Sequence, residues 1–243
     1  MANITPLTGP TTVFASGIYE SSTAAVHQIG EYAMTNDGRG YRYCKADGLQ
    51  VVGKLYQARA EDTSNEQELA ITNATAGDLS IVTTSTVTLA ADLLAGGFLV
   101  VSEGTLGVGQ MYKIKGNTAA SAAVTTFSLE EPVRVTTTGS CKVDVKVNPW
   151  MDVVVAPTTA TSGPVGAAQY AIPDNSFGWI QTHGIAAVLA QGTVVVGDDI
   201  VPAETTTTGT IVSRADASLS ATVGFALHGA ASTDFALVFL KID

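Results

Sequence analysis

Short apolar segments, separated by turn-forming residues, run along most of the chain. The clearest is CKVDVKV at 141–147, where Val143, Val145 and Val147 alternate with Asp144 and Lys146. A period of two is typical of a strand with one buried and one solvent-facing side. Similar segments are LSIVTTSTVTL at 79–89, GGFLVVSEG at 96–104, QMYKIKG at 110–116 and TTFSLEEPVRV at 125–135. The pattern predicts an all-β fold of short-stranded sandwich or barrel-like domains, with at most one or two short helices.

One segment also carries a local turn signal. The residues 41–45 and 49–56 flank Asp47-Gly48, a dipeptide suited to the positive φ of tight hairpin turns. We therefore predict a β-hairpin across 41–56. Five of the twelve basic residues lie on or beside this hairpin, namely Arg39, Arg42, Lys45, Lys54 and Arg59.

Three further segments carry secondary-structure expectations. The stretch TLAADLLAGG at 88–97 predicts a short helix capped by its final Gly pair, and EDTSNEQEL at 61–69 fits a polar loop or a helical turn. The last strand, FALVFL at 235–240, is apolar on both of its faces. Such a strand is expected at the centre of a sheet or under an interface.

The pattern divides the chain into three parts. Residues 1–30 predict an extended N-terminal arm, 31–148 a β domain with the basic hairpin, and 149–243 a C-terminal β-barrel or sandwich domain. In the last part, strands follow one another at intervals of roughly 8–12 residues, with turn signals between them.

Composition adds constraints on function. The 243 residues include 32 Thr and 27 Val, and β-branched side chains favour strands over helices. Only 14% of the residues are charged, against roughly a quarter in an average soluble domain, which predicts that some surface is hidden in an assembly. The formal net charge of −10 disfavours nonspecific binding to DNA or RNA. Neither a membrane-spanning run nor a signal peptide is expected.

The sequence holds no motif typical of catalysis. GxSxG, HExxH and CxxC patterns do not occur, and His27, His183 and His228 lie far apart. Neighbouring Asp198 and Asp199 could belong to an acid/base pair or a calcium site, but a solvated turn fits them better. We therefore predict a protein that is not an enzyme, with no catalytic residue, cofactor or metal ion.

Three other residues leave alternatives open. Cys44 and Cys141 predict two reduced thiols, with a disulfide as the alternative. Trp179 could stack on a sugar or a base, but a core or intersubunit aromatic fits its position in a strand better.

Four segments resemble a known family. They are GRGYRYCKADGLQVVGKLYQ at 38–57, GGFLVVSEGTLGVGQMYKIKGN at 96–117, FSLEEPVRV at 127–135 and IPDNSFGWIQTHGIAAVLAQGTVVVGD at 172–198. In them the chain resembles the auxiliary capsid proteins, also called decoration or cement proteins, of tailed bacteriophages. The resemblance implies an all-β, non-catalytic virion protein on the capsid exterior, assembled in the host cytoplasm. It also implies binding to the major capsid protein and self-association as a homotrimer.

On this basis we assign expected roles. The arm and the five basic residues are candidates for docking to the shell, and Trp179 for an intersubunit contact. The segment 151–243 has two basic and eight acidic residues, and is expected to mediate self-association or outward display. The alternative is a head-fibre or receptor- or carbohydrate-binding β module, which exposed aromatics clustered on one face would mark. A glycosidase using Asp198 with a distant acid such as Asp174 has no motif behind it.

Overall fold

The computed structural model describes residues 17–204, 207–215 and 220–243, so more than half of the predicted arm, residues 1–16, lies outside the described residues. The chain forms two compact units. Unit 1 comprises Met1–Arg59 together with Trp150–Asp243, and unit 2 comprises Ala60–Pro149. Unit 2 is therefore an insertion within unit 1.

The described elements are short strands and one helix of four residues. Unit 1 begins with β1 (Tyr32–Met34), β2 (Gly40–Lys45) and β3 (Leu55–Gln57). Unit 2 contains α1 (Thr63–Glu66), β4 (Leu69–Ala70), β5 (Ser80–Val82), β6 (Val87–Leu89), β7 (Phe98–Glu103), β8 (Met111–Asn117), β9 (Ala120–Ala123), β10 (Thr126–Leu129) and β11 (Lys142–Lys146). Unit 1 resumes with β12 (Val154–Val155), β13 (Pro164–Ala167), β14 (Phe177–Leu189), β15 (Asp199–Pro202), β16 (Ile211–Ser213), β17 (Gly224–His228) and β18 (Phe235–Lys241). The predicted all-β class is confirmed.

Unit 1 is built around β14, which spans 13 residues. The sheet order is β12-β3-β13-β14-β18-β17-β15-β16, and β2 also pairs with β14. The first part of β14 pairs with β2 and the second part with β18. Gly184 lies where the partner changes, with φ 84°, and a Cβ there would lie 3.0 Å from the backbone oxygen of Gly38. The change of partner therefore requires glycine at this position.

The hairpin predicted across 41–56 is wrong. Gly48 has φ 89°, as a tight turn requires, but β2 pairs with β1 and β14, and β3 pairs with β12 and β13. The hairpin in this region is formed by β1 and β2, with Tyr32 opposite Arg42. Because β2 and β3 pair with strands that follow Trp150, residues 31–59 belong to unit 1. The sequence boundary near 149 coincides with a unit boundary, whereas the grouping of 31–59 with 60–148 differs from the structure.

The main sheet of unit 2 has six strands and closes on itself, and β6 and β9 form a separate two-stranded sheet. The strand order of the main sheet is β4-β11-β7-β8-β10-β5. The two end strands are joined by hydrogen bonds from Thr72 N to Val82 O, at 2.9 Å, and from Thr84 N to Ala70 O, at 2.7 Å. Its interior is filled by buried apolar side chains, including Leu69, Ile81, Leu99, Val101, Tyr112, Ile114, Phe127, Val143 and Val145. The alternation predicted for 143–147 is confirmed, because the valines are buried and Asp144 and Lys146 are partly exposed.

The helix predicted over 88–97 is wrong, whereas 61–69 does contain a helical turn, α1. Residues up to Leu89 belong to β6, and the segment that follows is a series of turns. The Asn117 side chain accepts a hydrogen bond from Leu94 N at 2.9 Å and donates one to Ala90 O at 2.9 Å. These bonds occupy backbone groups that a helix would pair internally. In the described ranges, no helix is long and apolar enough to cross a membrane.

Candidate functional site

Arg39 and Arg42, two of the predicted docking residues, have acidic partners within unit 1. Arg39 Nε lies 2.9 Å from Asp37 Oδ2, and its Nη1 donates to the hydroxyls of Tyr19 and Tyr41, each at 3.0 Å. The Tyr19 hydrogen bond is the main cause that raises the pKa of Arg39. The Thr35 hydroxyl is the main cause that lowers the pKa of Asp37.

Arg42 is held on all sides. Its guanidinium lies 4.8 Å from the ring centroids of both Tyr32 and Trp150. It donates to both carboxylate oxygens of Asp243, at 2.6 and 3.1 Å, and to Gly30 O at 2.8 Å. A bidentate, stacked guanidinium of this kind ties distant parts of a chain together. Arg42 is therefore a structural residue of unit 1.

The other three basic candidates differ in how much charge they present. Lys45 Nζ lies 2.7 Å from Asp152 Oδ1. Arg59 is partly exposed, at the end of the first segment of unit 1. Lys54 is also partly exposed, and no carboxylate of the described ranges forms an ion pair with it. Because three of the five cations already have carboxylate partners, their attraction for an acidic surface is smaller than their number indicates. Their role in docking stays a prediction.

Trp179 is a core residue, and its predicted role as an intersubunit contact is wrong. Its side chain is 1% exposed in the single chain. Its ring packs edge-to-face against Tyr43, at 5.2 Å, and against His27, at 5.0 Å. Trp179 and Tyr43 form one of the apolar clusters of unit 1 together with Tyr41 and Ala33.

The other polar candidates are dispersed. His27 is part of the Trp179 cluster, and its Nδ1 lies 3.3 Å from Glu31 Oε2. Asp198 is partly exposed just before β15, and Asp199 is exposed at its start. Asp174 accepts a hydrogen bond from Gly48 N at 2.8 Å. In the described part of the chain, no group of three or more His, Cys, Asp or Glu side chains could hold a metal ion.

The two cysteines are free and buried, one in each unit. Burial raises the pKa of the Cys44 thiol to about 12. Burial acts to raise the pKa of the Cys141 thiol, but backbone and side-chain hydrogen bonds around it together lower the pKa below its ordinary value. The reduced thiols predicted from the sequence agree with this arrangement.

A contiguous apolar surface, which we call the outer face, covers one side of the sheet of unit 1. Opposite residues in adjacent strands project to the same side of a sheet, and the register places Ile185 of β14 and Phe225 of β17 on either side of Phe239 of β18. Leu237 and Phe235 continue the face along β18. Its other apolar members are Ala187, Leu189 and Leu227.

These side chains are well exposed for their type. Phe235 is 54% exposed, Ile185 48%, Leu237 43% and Leu227 36%. Phe225 and Phe239 stack on each other at 5.3 Å between centroids, with 12° between the ring planes. The opposite side of the same strands is closed, because Ala236, Val238 and Leu240 are buried in the core.

The outer face is as large as the largest apolar patches on monomeric proteins. Three strands wide and seven residues long, it measures about 14 Å by 24 Å, or about 340 Å². The largest apolar patch on a monomeric protein is typically about 300–600 Å² and often has a function. Burying it releases water from apolar surface, so contact with another protein is favourable.

Comparisons with known proteins identify no relative of the chain. No family model, no curated protein and no solved structure matches the chain.

One indication of the outer face was visible in the sequence. The last strand is apolar on both sides, which predicted a central or covered position. Its central position is confirmed, because β18 lies between β14 and β17. The contribution of Ile185 could not be predicted, because it depends on which strand pairs with β18 and in which register.

Proposed function

We propose that the chain is a non-catalytic structural protein of a tailed-bacteriophage particle. In this role it is a decoration or cement protein that binds the exterior of the assembled head and stabilises it. The observation that supports the proposal best is the outer face. It is an exposed apolar surface centred on β18, a strand that is hydrogen-bonded to a neighbour along both of its edges. The resemblance in sequence is the reason for proposing a tailed-bacteriophage particle.

Stabilisation would come from added interfaces. A stable protein contact buries roughly 1,200–2,000 Å² in total. A subunit that touches the shell and its own copies at once gains further from the high effective concentration of the second contact. The outer face is assigned to self-association. Lys54 is assigned to the major capsid protein together with residues 1–16 of the predicted arm, because residues 17–30 are not a free arm: Ser22 pairs with Phe177 and His27 packs on Trp179 within unit 1.

The test is the binding of the purified protein to phage heads that lack it, measured by co-sedimentation and by cryo-electron microscopy. We expect saturable occupancy of the outer surface and a higher temperature of head disruption. Heads that gain no saturable density would contradict the proposal.

Variants separate the two assigned docking elements. Deleting residues 1–16 preserves the bridge between Ser22 and Phe177, whereas deleting 1–30 also removes His27 from its contact with Trp179. The shorter deletion therefore tests residues 1–16 while keeping the contacts of Ser22 and His27. Undiminished occupancy would contradict a docking role for residues 1–16. Lys54→Glu should weaken binding, while Lys115→Glu, at an exposed lysine of unit 2, serves as the matched control.

A receptor- or carbohydrate-binding module is the second candidate. Phenylalanines do cluster on the outer face, which was the feature expected for this alternative. Phe225 and Phe239 each use one ring face on the other, so Phe235, which is 54% exposed, offers the most ring surface for stacking on a sugar. Specific hits on a glycan array, without occupancy of heads, would favour the second candidate.

A further inference from the structure

We propose that Asp47-Gly48 is a latent site of aspartate isomerisation, and that the Asp174 carboxylate suppresses the reaction by holding the backbone N–H of Gly48. The chain contains two Asp-Gly dipeptides, at 37–38 and at 47–48, and both lie at the surface. Such dipeptides are prone to isomerise because glycine has no side chain to hinder the attack of its nitrogen on the preceding residue. The inference concerns the chemical lifetime of the chain and does not rest on the proposed function.

Isomerisation begins when the backbone attacks a neighbouring side chain. The nitrogen of Gly48 bonds to the carboxyl carbon of Asp47, the nitrogen loses its proton, and a carboxyl oxygen leaves as water. Water then opens the cyclic imide at either of its carbonyls. One opening returns aspartate, and the other gives isoaspartate, in which a methylene group of the side chain has become part of the main chain.

The turn at 47–48 leaves the carboxyl group open to this attack. Asp47 and Gly48 are both exposed, and a Cβ built on Gly48 would have nothing within 4 Å. Within the described residues, the Asp47 carboxylate forms no hydrogen bond or ion pair. No partner therefore holds the reacting carbon away from the nitrogen.

The nitrogen, in contrast, is held by Asp174. Gly48 N donates to Asp174 Oδ1 at 2.8 Å, and Asn175 Nδ2 donates to the other carboxylate oxygen at 3.1 Å. A hydrogen bond to an ionised acceptor is stronger than one between neutral groups. Gly48 N has to turn toward Asp47 and lose its proton in order to react, so its bond to Asp174 must break. The bond therefore stabilises the unreacted turn.

Backbone hydrogen bonds on both sides of the turn fix it against the segment 172–176. Before the turn, Asn175 N donates to Ala46 O at 3.1 Å. After it, Gln50 N donates to Ile172 O at 2.8 Å. These bonds limit how far the turn can bend toward the geometry of the imide ring.

Asp37-Gly38 provides an internal comparison, because there the carboxylate itself has partners. Arg39 Nε lies 2.9 Å from Asp37 Oδ2, and the Thr35 hydroxyl is the main cause that lowers the pKa of Asp37. Gly38 N donates to Thr35 O at 3.0 Å. None of these contacts involves Asp174. A change confined to residue 47 would thus report the local contact, whereas a change at both dipeptides would report a general loss of structure.

Prolonged incubation of the full chain at neutral pH tests the inference, followed by peptide mapping with electron-transfer fragmentation, which distinguishes isoaspartate from aspartate. Asp174→Ala should raise the rate at residue 47 about threefold to fivefold, as expected for the loss of one exposed hydrogen bond, and leave the rate at residue 37 unchanged. Asp174→Asn keeps an acceptor oxygen and should give a smaller rise. Asp199→Ala, at another exposed aspartate of unit 1, is the matched control and should behave as the wild type.

The urea-unfolded chain gives the unprotected rate. A folded wild-type chain that isomerises at residue 47 as fast as the unfolded one would overturn the protection, and an unfolded chain that does not isomerise there would overturn the site itself. An unchanged rate in Asp174→Ala would also contradict the inference. A slower rate would overturn it as well, because Asp174 would then act as a base that removes the Gly48 proton. Equal rises at residues 37 and 47 would assign the effect to unfolding and overturn the local role.

Discussion

The Gln181 side chain forms hydrogen bonds where β14 changes its pairing partner from β2 to β18. Replacing Gln181 should therefore destabilise unit 1. Gln181 is fully buried, and its Nε2 donates to His183 O and to Ile185 O, each at 2.9 Å. The pairing of β14 with β2 shifts register between Gln181 and His183. The side chain thus supplies donors to backbone carbonyls at the irregularity.

We expect Gln181→Met to lower the free energy of unfolding by about 1–3 kcal/mol. Each carbonyl that loses its donor costs about 1–3 kcal/mol. Gln181 Oε1 is buried without a hydrogen-bond partner in the described residues. Removing it therefore raises the free energy of unfolding by about 1–3 kcal/mol, which offsets the loss at one of the two carbonyls. Methionine keeps most of the volume, so a cavity contributes little. For a chain of this size the loss corresponds to a fall in Tm of about 2–10 °C.

Tryptophan fluorescence provides an assay specific to unit 1, because both tryptophans, Trp150 and Trp179, belong to it. Urea titrations of the wild type and Gln181→Met would give the difference in unfolding free energy. Gln28→Met, at an exposed glutamine of unit 1, is the control and should lie within about 0.5 kcal/mol of the wild type. A Gln181→Met variant as stable as this control would refute the reasoning.

Three further predictions concern the cores. Leu99→Ala should cost about 2–5 kcal/mol in far-UV circular dichroism unfolding, because Leu99 is fully buried in unit 2; Leu79→Ala, at a leucine 58% exposed, should cost little. In a Cys141→Ala background, Cys44 should resist alkylation at pH 8 until urea is added, because burial raises its pKa to about 12; rapid labelling of the folded chain would contradict this. Burial also raises the pKa of Tyr56 from 10 to about 12. Its contribution to stability is therefore complete below pH 10 and lost as the pH rises through 12, so alkaline unfolding should be less steep in Tyr56→Phe, and an identical pH profile would be evidence against it.

Local pattern was sufficient for elements whose signal is local. The alternation at 143–147 directly reports a half-buried strand, and the chain does bend at Asp47-Gly48 with a positive φ at the glycine. Pairing is not local, and that is why the hairpin prediction failed: the flanking strands find partners more than a hundred residues away. The helix predicted at 88–97 failed for a related reason, because the side chain of Asn117 holds that segment in turns.

The candidate site was predictable only in part. The composition of β18 indicated a covered or central strand, and the structure shows which of its sides is open. The basic residues could be counted, but not their partners, since Arg42 and Asp243 are 201 positions apart in the chain. Trp179 could not be assigned to the core or the surface without knowing what packs on it.

The insertion of unit 2 has a consequence for the order of folding during synthesis. Unit 2 is continuous in sequence, so all its strands are available once residue 149 has left the ribosome. β2 has to wait for β14, which begins at Phe177, and β14 in turn for β18 at the end of the chain. Pairings of such long range are slow to form, and unpaired strand edges are prone to aggregate. Nascent chains halted after residue 149 should therefore resist protease in 60–149 while 17–59 is cut.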